Sequence, residues 1–168
     1  MKKYFMNLMV VVAATTLLFS SCDEKVIKEE IDILIETGVL RGNLKHEVTL
    51  DANKTYALAG AFIVENGGSI TIPAGTKIVA GQGFGNYILV AQGGKIFING
   101  TAEKPVKMVG ATTKAEAGVW GGLIINGYAP LTSSQQEAKT EINNDYPYGG
   151  NKTDDNSGSI TYLVLEST

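Results

Sequence analysis

Residues 64–72, Val64-Glu65-Asn66-Gly67-Gly68-Ser69-Ile70-Thr71-Ile72, return 26 positions later as Val90-Ala91-Gln92-Gly93-Gly94-Lys95-Ile96-Phe97-Ile98. Each copy reads as a strand, a Gly-Gly corner and a second strand, and neither copy buries an apolar face on its own. A period of roughly 20–50 residues built from such units specifies a solenoid, in which coils stack and the core runs along the axis. The same pattern extends outward in both directions. Val48 and Leu50 flank Thr49, Tyr56 and Leu58 flank Ala57, and Phe62 and Val64 flank Ile63, the period-2 alternation of strands. Ile78, Ile88, Val106 and Met108 continue it. Asp51-Ala52-Asn53, Gly60, Pro73-Ala74-Gly75 and Asn99-Gly100 supply the corners, with residues that accept positive φ or bond their own backbone. Short strands turned by Gly and Asn favour a β-helix over a sandwich. The expectation is an all-β protein, a single-stranded parallel β-helix over residues 41–168 with about three to four coils.

Composition agrees. Twenty glycines in 168 residues and 18% charged side chains suit many short strands joined by tight turns. The formal charge is −3. Without Lys2 and Lys3 the remainder carries 12 basic and 17 acidic residues, or −5. With no basic stripe, nucleic acid is excluded as an expected partner.

The first 21 residues read as a processing signal. Met1-Lys2-Lys3 is a positive n-region, Leu8 to Phe19 an apolar h-region, and Ser20-Ser21 places small residues before Cys22. The apolar run is about a dozen residues, short of the roughly 18 that span a bilayer. Cys22 is the chain's one cysteine, so it has no disulfide partner within the chain.

Leu18-Phe19-Ser20-Ser21-Cys22 resembles a bacterial lipoprotein box, with Phe19 where Leu is usual. The resemblance implies cleavage before Cys22 and lipidation of its sulfur. Boxes of this looser kind are similar to those of Bacteroidota-type bacteria, where acidic residues such as Asp23 and Glu24 resemble a surface-export signal. Several acyl chains hold a membrane stably where one does not. The implied location is the outer membrane, lipid-anchored and facing the cell surface. Residues 22–40 are expected to be a tether, within which Ile31, Leu34 and Ile35 fall near helical spacing opposite Lys28, Glu29 and Glu30. A short helix there would cap the open end of the solenoid.

The words Tyr56-Ala57-Leu58-Ala59-Gly60, Val64 and Gly67-Gly68-Ser69-Ile70-Thr71-Ile72-Pro73-Ala74-Gly75-Thr76, with Trp120-Gly121-Gly122, Tyr148-Gly149-Gly150 and Asp155-Asn156-Ser157-Gly158, resemble a group of Gly-rich β-helical surface and secreted proteins of Bacteroidota-type bacteria. The resemblance implies a right-handed parallel β-helix and carries no single chemistry. Pectate-lyase-like enzymes share the fold without these motifs, and fold alone does not define function. So few coils, ending on Glu166-Ser167-Thr168 without a capping word, lead us to expect a truncated member of the group.

Catalytic residue types are sparse. His46 is the one histidine and Arg41 the one arginine, too few for a triad or a zinc site. His46 reads as a solvent-facing turn residue, and Trp120 as a corner packing residue. Asp154 to Gly158 lacks the spacing of a calcium loop, and Asx hydrogen bonds account for it; no cofactor or metal is expected. The stretch 126–158 is long, polar and without sustained alternation, and long loops of this kind carry function or are disordered, the competing expectation here being a mobile surface insertion with incidental tyrosines. Tyr128, Asp145, Tyr146, Tyr148, Asn151, Asp154 and Asp155 are its candidate ligand-binding residues, rings stacking on sugars and polar groups reading hydroxyls. The expected function is a non-catalytic, lipid-anchored surface scaffold or adhesin-like binding protein, its partners the membrane through Cys22 and a glycan or another envelope protein. The alternative is a fragment of a lyase-like, polysaccharide-active β-helix enzyme.

Overall fold

The computed structural model describes residues 30–114, 116–132 and 135–168. The expected signal segment 1–21, Cys22 and residues 23–29 of the expected tether lie outside the described residues.

The alternating segments become parallel strands stacked in register on three faces. The first face runs through β1 (Val39–Leu44), the start of β3 (Thr55–Val64), β5 (Lys77–Ala80), β8 (Val106–Gly110) and β13 (Leu163–Glu166). The second runs through the ends of β1 and β3, then β6 (Gly83–Val90) and β9 (Trp120–Ile125). The third consists of β2 (Glu47–Thr49), β4 (Ser69–Pro73), β7 (Lys95–Asn99) and β12 (Gly158–Thr161). β3 turns the corner between two faces: its residues 55–58 pair with β5 and its residues 61–64 with β6. Four coils and one further strand result, a parallel β-helix as the repeat predicts.

The repeated stretch stacks directly on itself. Val64 pairs Val90, Ile70 pairs Ile96 and Ile72 pairs Ile98. Inside, Leu58, Phe62, Val64, Ile70, Ile72, Ile78, Ile88, Val90, Ile96, Ile98 and Met108 form one continuous core, each at most 1% exposed. Burial of an aliphatic side chain of this kind stabilises by about 1.5–3 kcal/mol. Trp120 belongs to this core, and its indole N–H donates to the Glu166 carbonyl at 2.8 Å, so it packs a corner.

The two glycines of each corner have separate jobs. Gly67 and Gly93 hold φ of 83° and 81°, a region that side chains disfavour. Gly68 and Gly94 lie against the coil beneath. A Cβ on Gly68 would collide with the Leu44 carbonyl oxygen, and one on Gly94 with that of Val64. The corners also bond to each other, Gly67 N–H donating to the Gly93 carbonyl at 3.2 Å and Lys95 N–H to Gly68 at 3.1 Å.

Below the first coil lies a short helix, α1 (residues 30–36). Ile31 and Ile35 enter the core beside Leu40, Leu44 and Leu50. It ends where Gly38 takes φ of 84°, a glycine stop. His46 is not a free turn residue: its Nε2 lies 2.8 Å from Asp32 Oδ1 and ties the first corner to α1.

Gly94→Ala is expected to destabilise the fold by about 1–3 kcal/mol, read as a lowered midpoint in urea unfolding, because the coil beneath has no room for the methyl. Gly85→Ala, where a Cβ meets nothing within 4 Å, should change stability by less than about 0.5 kcal/mol. Equal midpoints for the two variants would contradict the assignment.

Candidate functional site: the hairpin and its cleft

The polar stretch 126–158 is not irregular. It holds an antiparallel hairpin, β10 (Glu137–Thr140) and β11 (Asn143–Gly149), with Ala138 opposite Tyr148 and Lys139 opposite Pro147. The hairpin lies on the outside of the second face. There Ile63, Tyr87, Leu89 and Ala91 point outward and are nonetheless buried, packed with Ala61, Ile124, Ile142 and Tyr146. This second, smaller core explains why the second-face strands are apolar at successive positions (Phe62-Ile63-Val64, Ile88-Leu89-Val90): both faces of such strands are covered.

Polar contacts fix the hairpin in place. Tyr146 Oη donates to Glu65 Oε1 at 2.7 Å, and Asn43 Nδ2 donates to the same oxygen at 3.0 Å, so one carboxylate joins the first coil, the second coil and the hairpin. Burial, and then the negative Glu65, push the Tyr146 phenol well above the ordinary tyrosine range. Asn126, 2% exposed, donates to Thr140 Oγ1 at 2.7 Å and to the Tyr146 carbonyl at 3.1 Å. Gln92 Nε2 donates to the carbonyls of Gly127 and Gly149 at 3.1 and 2.6 Å. Asn143 Nδ2 donates to Tyr87 Oη at 3.1 Å.

The sequence candidates therefore separate into different roles. Tyr146 is an anchor. Asp155 Oδ2 accepts the Tyr128 N–H at 2.8 Å, and Asn156 Oδ1 accepts that of Gly158 at 2.8 Å, so these residues shape a turn. Lys152 Nζ sits 4.0 Å from the centre of the Tyr128 ring, a cation–π contact that occupies one ring face. Asp145, Asn151 and Asp154 are exposed. Among the described residues no three His, Cys, Asp or Glu side chains gather in a way that could hold a metal ion.

Tyr148 is exposed and borders an open cleft. That cleft, of ≈ 460 Å³, lies between β9 and the hairpin. Ile124, Asn126, Lys139, Thr140, Glu141 and Tyr148 are among its walls, an aromatic ring and apolar floor beside a cation, a carboxylate and a hydroxyl. Sequence reading identified Tyr148 but missed Lys139 and Glu141, since nothing in the sequence indicated that the loop doubles back on β9.

A second groove of ≈ 370 Å³ lies on the outer side of the first face, where Lys77 pairs directly with Lys107 and Lys114 stands beside them, with Thr112, Glu166 and Ser167 on its walls. Among the described residues no carboxylate comes within ion-pair distance of these three lysines. Lys77 opens β5 and Lys107 is the second residue of β8; sequence reading did not single them out.

Residues 42–168 match a family model described as a pectate-lyase-like β-helix domain. The chain belongs to that family. The sequence reading had set pectate-lyase-like proteins apart by motif; the match draws the chain together with them at the level of the domain. Among curated proteins and among solved structures nothing matches the chain.

Raising a phenol's pKa in the fold means that the native state holds its proton longer than the unfolded chain. The stabilisation is complete below the unfolded value near 10 and declines as pH rises above it. Tyr146→Phe is expected to cost about 1 kcal/mol at neutral pH and to flatten the loss of stability above about pH 10. Urea midpoints measured across that range test both; a variant as pH-sensitive as the parent would refute the Glu65 anchor.

Proposed function

We propose that the chain is a lipid-anchored, non-catalytic scaffold of the cell envelope that binds glycan in the cleft between β9 and the hairpin. The observation that carries the reading is the cleft itself. An exposed Tyr148 ring stands beside Lys139, Glu141 and Asn126 on a hairpin already held by buried hydrogen bonds. Aromatic faces stack on the apolar faces of sugars while amides and charged groups read hydroxyls. A rigid hairpin also lowers the ordering cost of binding. The anchor rests on Leu18-Phe19-Ser20-Ser21-Cys22 and its likeness to Bacteroidota-type lipoprotein boxes, and it places the β-helix at the outer membrane, facing outward. In this reading the tether joins Cys22 to α1, and the coils hold the cleft away from the bilayer.

Affinity electrophoresis of the protein through gels carrying envelope or host polysaccharides tests the binding. At least one glycan should retard the parent, and Tyr148→Ala should weaken that retardation about tenfold, the loss of one stacking contact of about 1–1.5 kcal/mol. Retardation unchanged in the variant would remove the cleft from the function. For the anchor, a radiolabelled lipid precursor should enter the parent protein and not Cys22→Ala; equal labelling would end that part of the reading.

A second reading, a fragment of a polysaccharide-active enzyme, is favoured by the family match and by the in-register Lys77 and Lys107 beside Lys114. Like charges stacked on neighbouring strands repel, and an acidic polymer would relieve that. Release of unsaturated oligosaccharides from acidic polysaccharide, abolished in Lys107→Ala, would replace the scaffold reading with this one.

A further inference from the structure

The corner between the first and second faces carries an insertion. Leu58 pairs Ala80 and Ala61 pairs Tyr87, so two residues turn this corner within β3 where six, residues 81–86, turn it on the next coil. Hydrogen bonds hold the enlarged turn from both sides. Asn86 Oδ1 accepts the Gly60 N–H at 2.8 Å, and its Nδ2 donates to the Gln82 carbonyl at 2.8 Å. Toward the following coil, Gly83 N–H donates to the Val119 carbonyl at 2.7 Å and Gln82 Nε2 to that of Ala111 at 3.2 Å. Phe84 rides on this pinned turn at 64% exposure, the most exposed of the large apolar side chains among the described residues. A Cβ on Gly83 or Gly85 would meet nothing within 4 Å, so the space on either side of Phe84 is open. Its coil has β3 below it and β9 above, so the exposure does not come from an end of the stack.

Two concave surfaces meet at Phe84. On one side its carbonyl lies against Gly121, on which Ile142 also packs, and Gly121 and Ile142 both line the hairpin cleft. From there the cleft follows β9 to Asn126, which donates to the Tyr146 carbonyl and so marks the end where Tyr148 stands. The strand from Gly121 to Asn126 spans about 16 Å at about 3.3 Å per residue. Tyr148 therefore stands at one end of the cleft and Phe84 at the other. On its far side Phe84 is followed by Gly85 and Asn86, which line a groove of ≈ 560 Å³ together with Ala59, Gly60 and Ala61. Arg41 borders that groove, and a Cβ on Gly60 would lie 3.4 Å from its Cγ. Its guanidinium makes no ion pair among the described residues.

We propose that Phe84 is a second stacking platform of the glycan site, and that the ligand is an oligosaccharide chain running from Tyr148 along the cleft, across Phe84 and into the groove at Arg41. The proposal rests on the glycan-binding reading of the cleft and adds to it the length of the ligand and the course it follows. One sugar ring cannot touch both aromatic rings at this separation. A chain of sugars presents an apolar face at successive units, so two platforms set apart along a strand hold different units of the same chain. Arg41 offers its free donors to hydroxyls of the unit in the groove. The turn that carries Phe84 is already pinned, which lowers the ordering cost of binding. Glycine on both sides of Phe84 keeps other side chains out of the approach to the ring.

A printed array of oligosaccharides graded in length, from disaccharides to octasaccharides of plant, fungal, animal and bacterial polysaccharides, tests this, with calorimetry on the series that binds best. Affinity of the parent should rise with chain length until both rings are covered. Phe84→Ala should lose about tenfold on the longest members and nothing on the shortest member that the parent binds, so its affinity stops rising at a shorter chain. Tyr148→Ala should lose affinity at every length. Circular dichroism and an unchanged urea midpoint establish that Phe84→Ala folds, since the side chain removed is exposed. Should Tyr148→Ala weaken binding while Phe84→Ala follows the parent at every length, or should the parent's affinity be independent of length, the extension is overturned and the cleft stands. Should no member bind the parent, or should Tyr148→Ala bind as well as the parent, the glycan reading falls and takes the extension with it.

Discussion

Everything in this molecule depends on one close approach, the backbone of each coil resting on the carbonyl groups of the coil beneath it at the Gly-Gly corners. Parallel strands bond evenly only when successive coils keep their register, and a register slip of one residue would turn the interior side chains outward. Gly68 against the Leu44 carbonyl and Gly94 against that of Val64 allow the coils to close to bonding distance at the same place twice. The columns Ile70–Ile96 and Ile72–Ile98 then follow of necessity. In the next coil Gly158 makes a close approach of its own two residues further on, in register with Ile96, its missing Cβ leaving space for the Ile96 carbonyl.

The corner constraint was legible because it is written in local, repeated words. Glycines at fixed spacing, each followed by two alternating isoleucines, point to a single architecture, and the pairing of Val64 with Val90 follows the repeat. The hairpin was not legible in that way. Its anchors join residues remote in sequence, Tyr146 to Glu65 and Gln92 to Gly149, and no local pattern announces such pairs. One signal was present and ambiguous. Consecutive apolar residues in Phe62-Ile63-Val64 and Ile88-Leu89-Val90 suit a strand covered on both faces, yet short apolar runs are also ordinary β-propensity. The role of His46 was hidden for a similar reason, since its partner Asp32 sits in a helix that sequence periodicity only suggested.

Among the candidate ligand residues, structure divides what composition had grouped. Tyrosines, aspartates and asparagines crowd into 126–158 because a hairpin seated on a solenoid needs hydrogen-bonding side chains at its joints. Tyr146, Asp155 and Asn126 serve there. A polar, aromatic loop is therefore weak evidence of a ligand until the joints are subtracted. What remains after that subtraction is the exposed Asp145, Asn151 and Asp154, and Tyr148 with the cleft it borders, whose other residues sequence alone had no reason to combine.

The coils also show where a scaffold of this kind can accept new function. Along the first face Leu58 pairs Ala80, Ala80 pairs Gly110 and Val106 pairs Leu163, so the chain advances by 22, 30 and then 57 residues between rungs. The strands keep their register through all three, so the added residues leave from corners. Loop closure penalises such insertions only weakly, by about 0.6 kcal/mol for each doubling of length. The constraint falls elsewhere: an inserted segment must cover an apolar outer face or stay hydrated. The segment between β9 and β12 does the first, over Ile63 and Leu89, and by lying flat on the coil it leaves a cleft along its margin. Stacking supplies the rigidity, and the corner insertion supplies the surface on which specificity can vary without disturbing the stack.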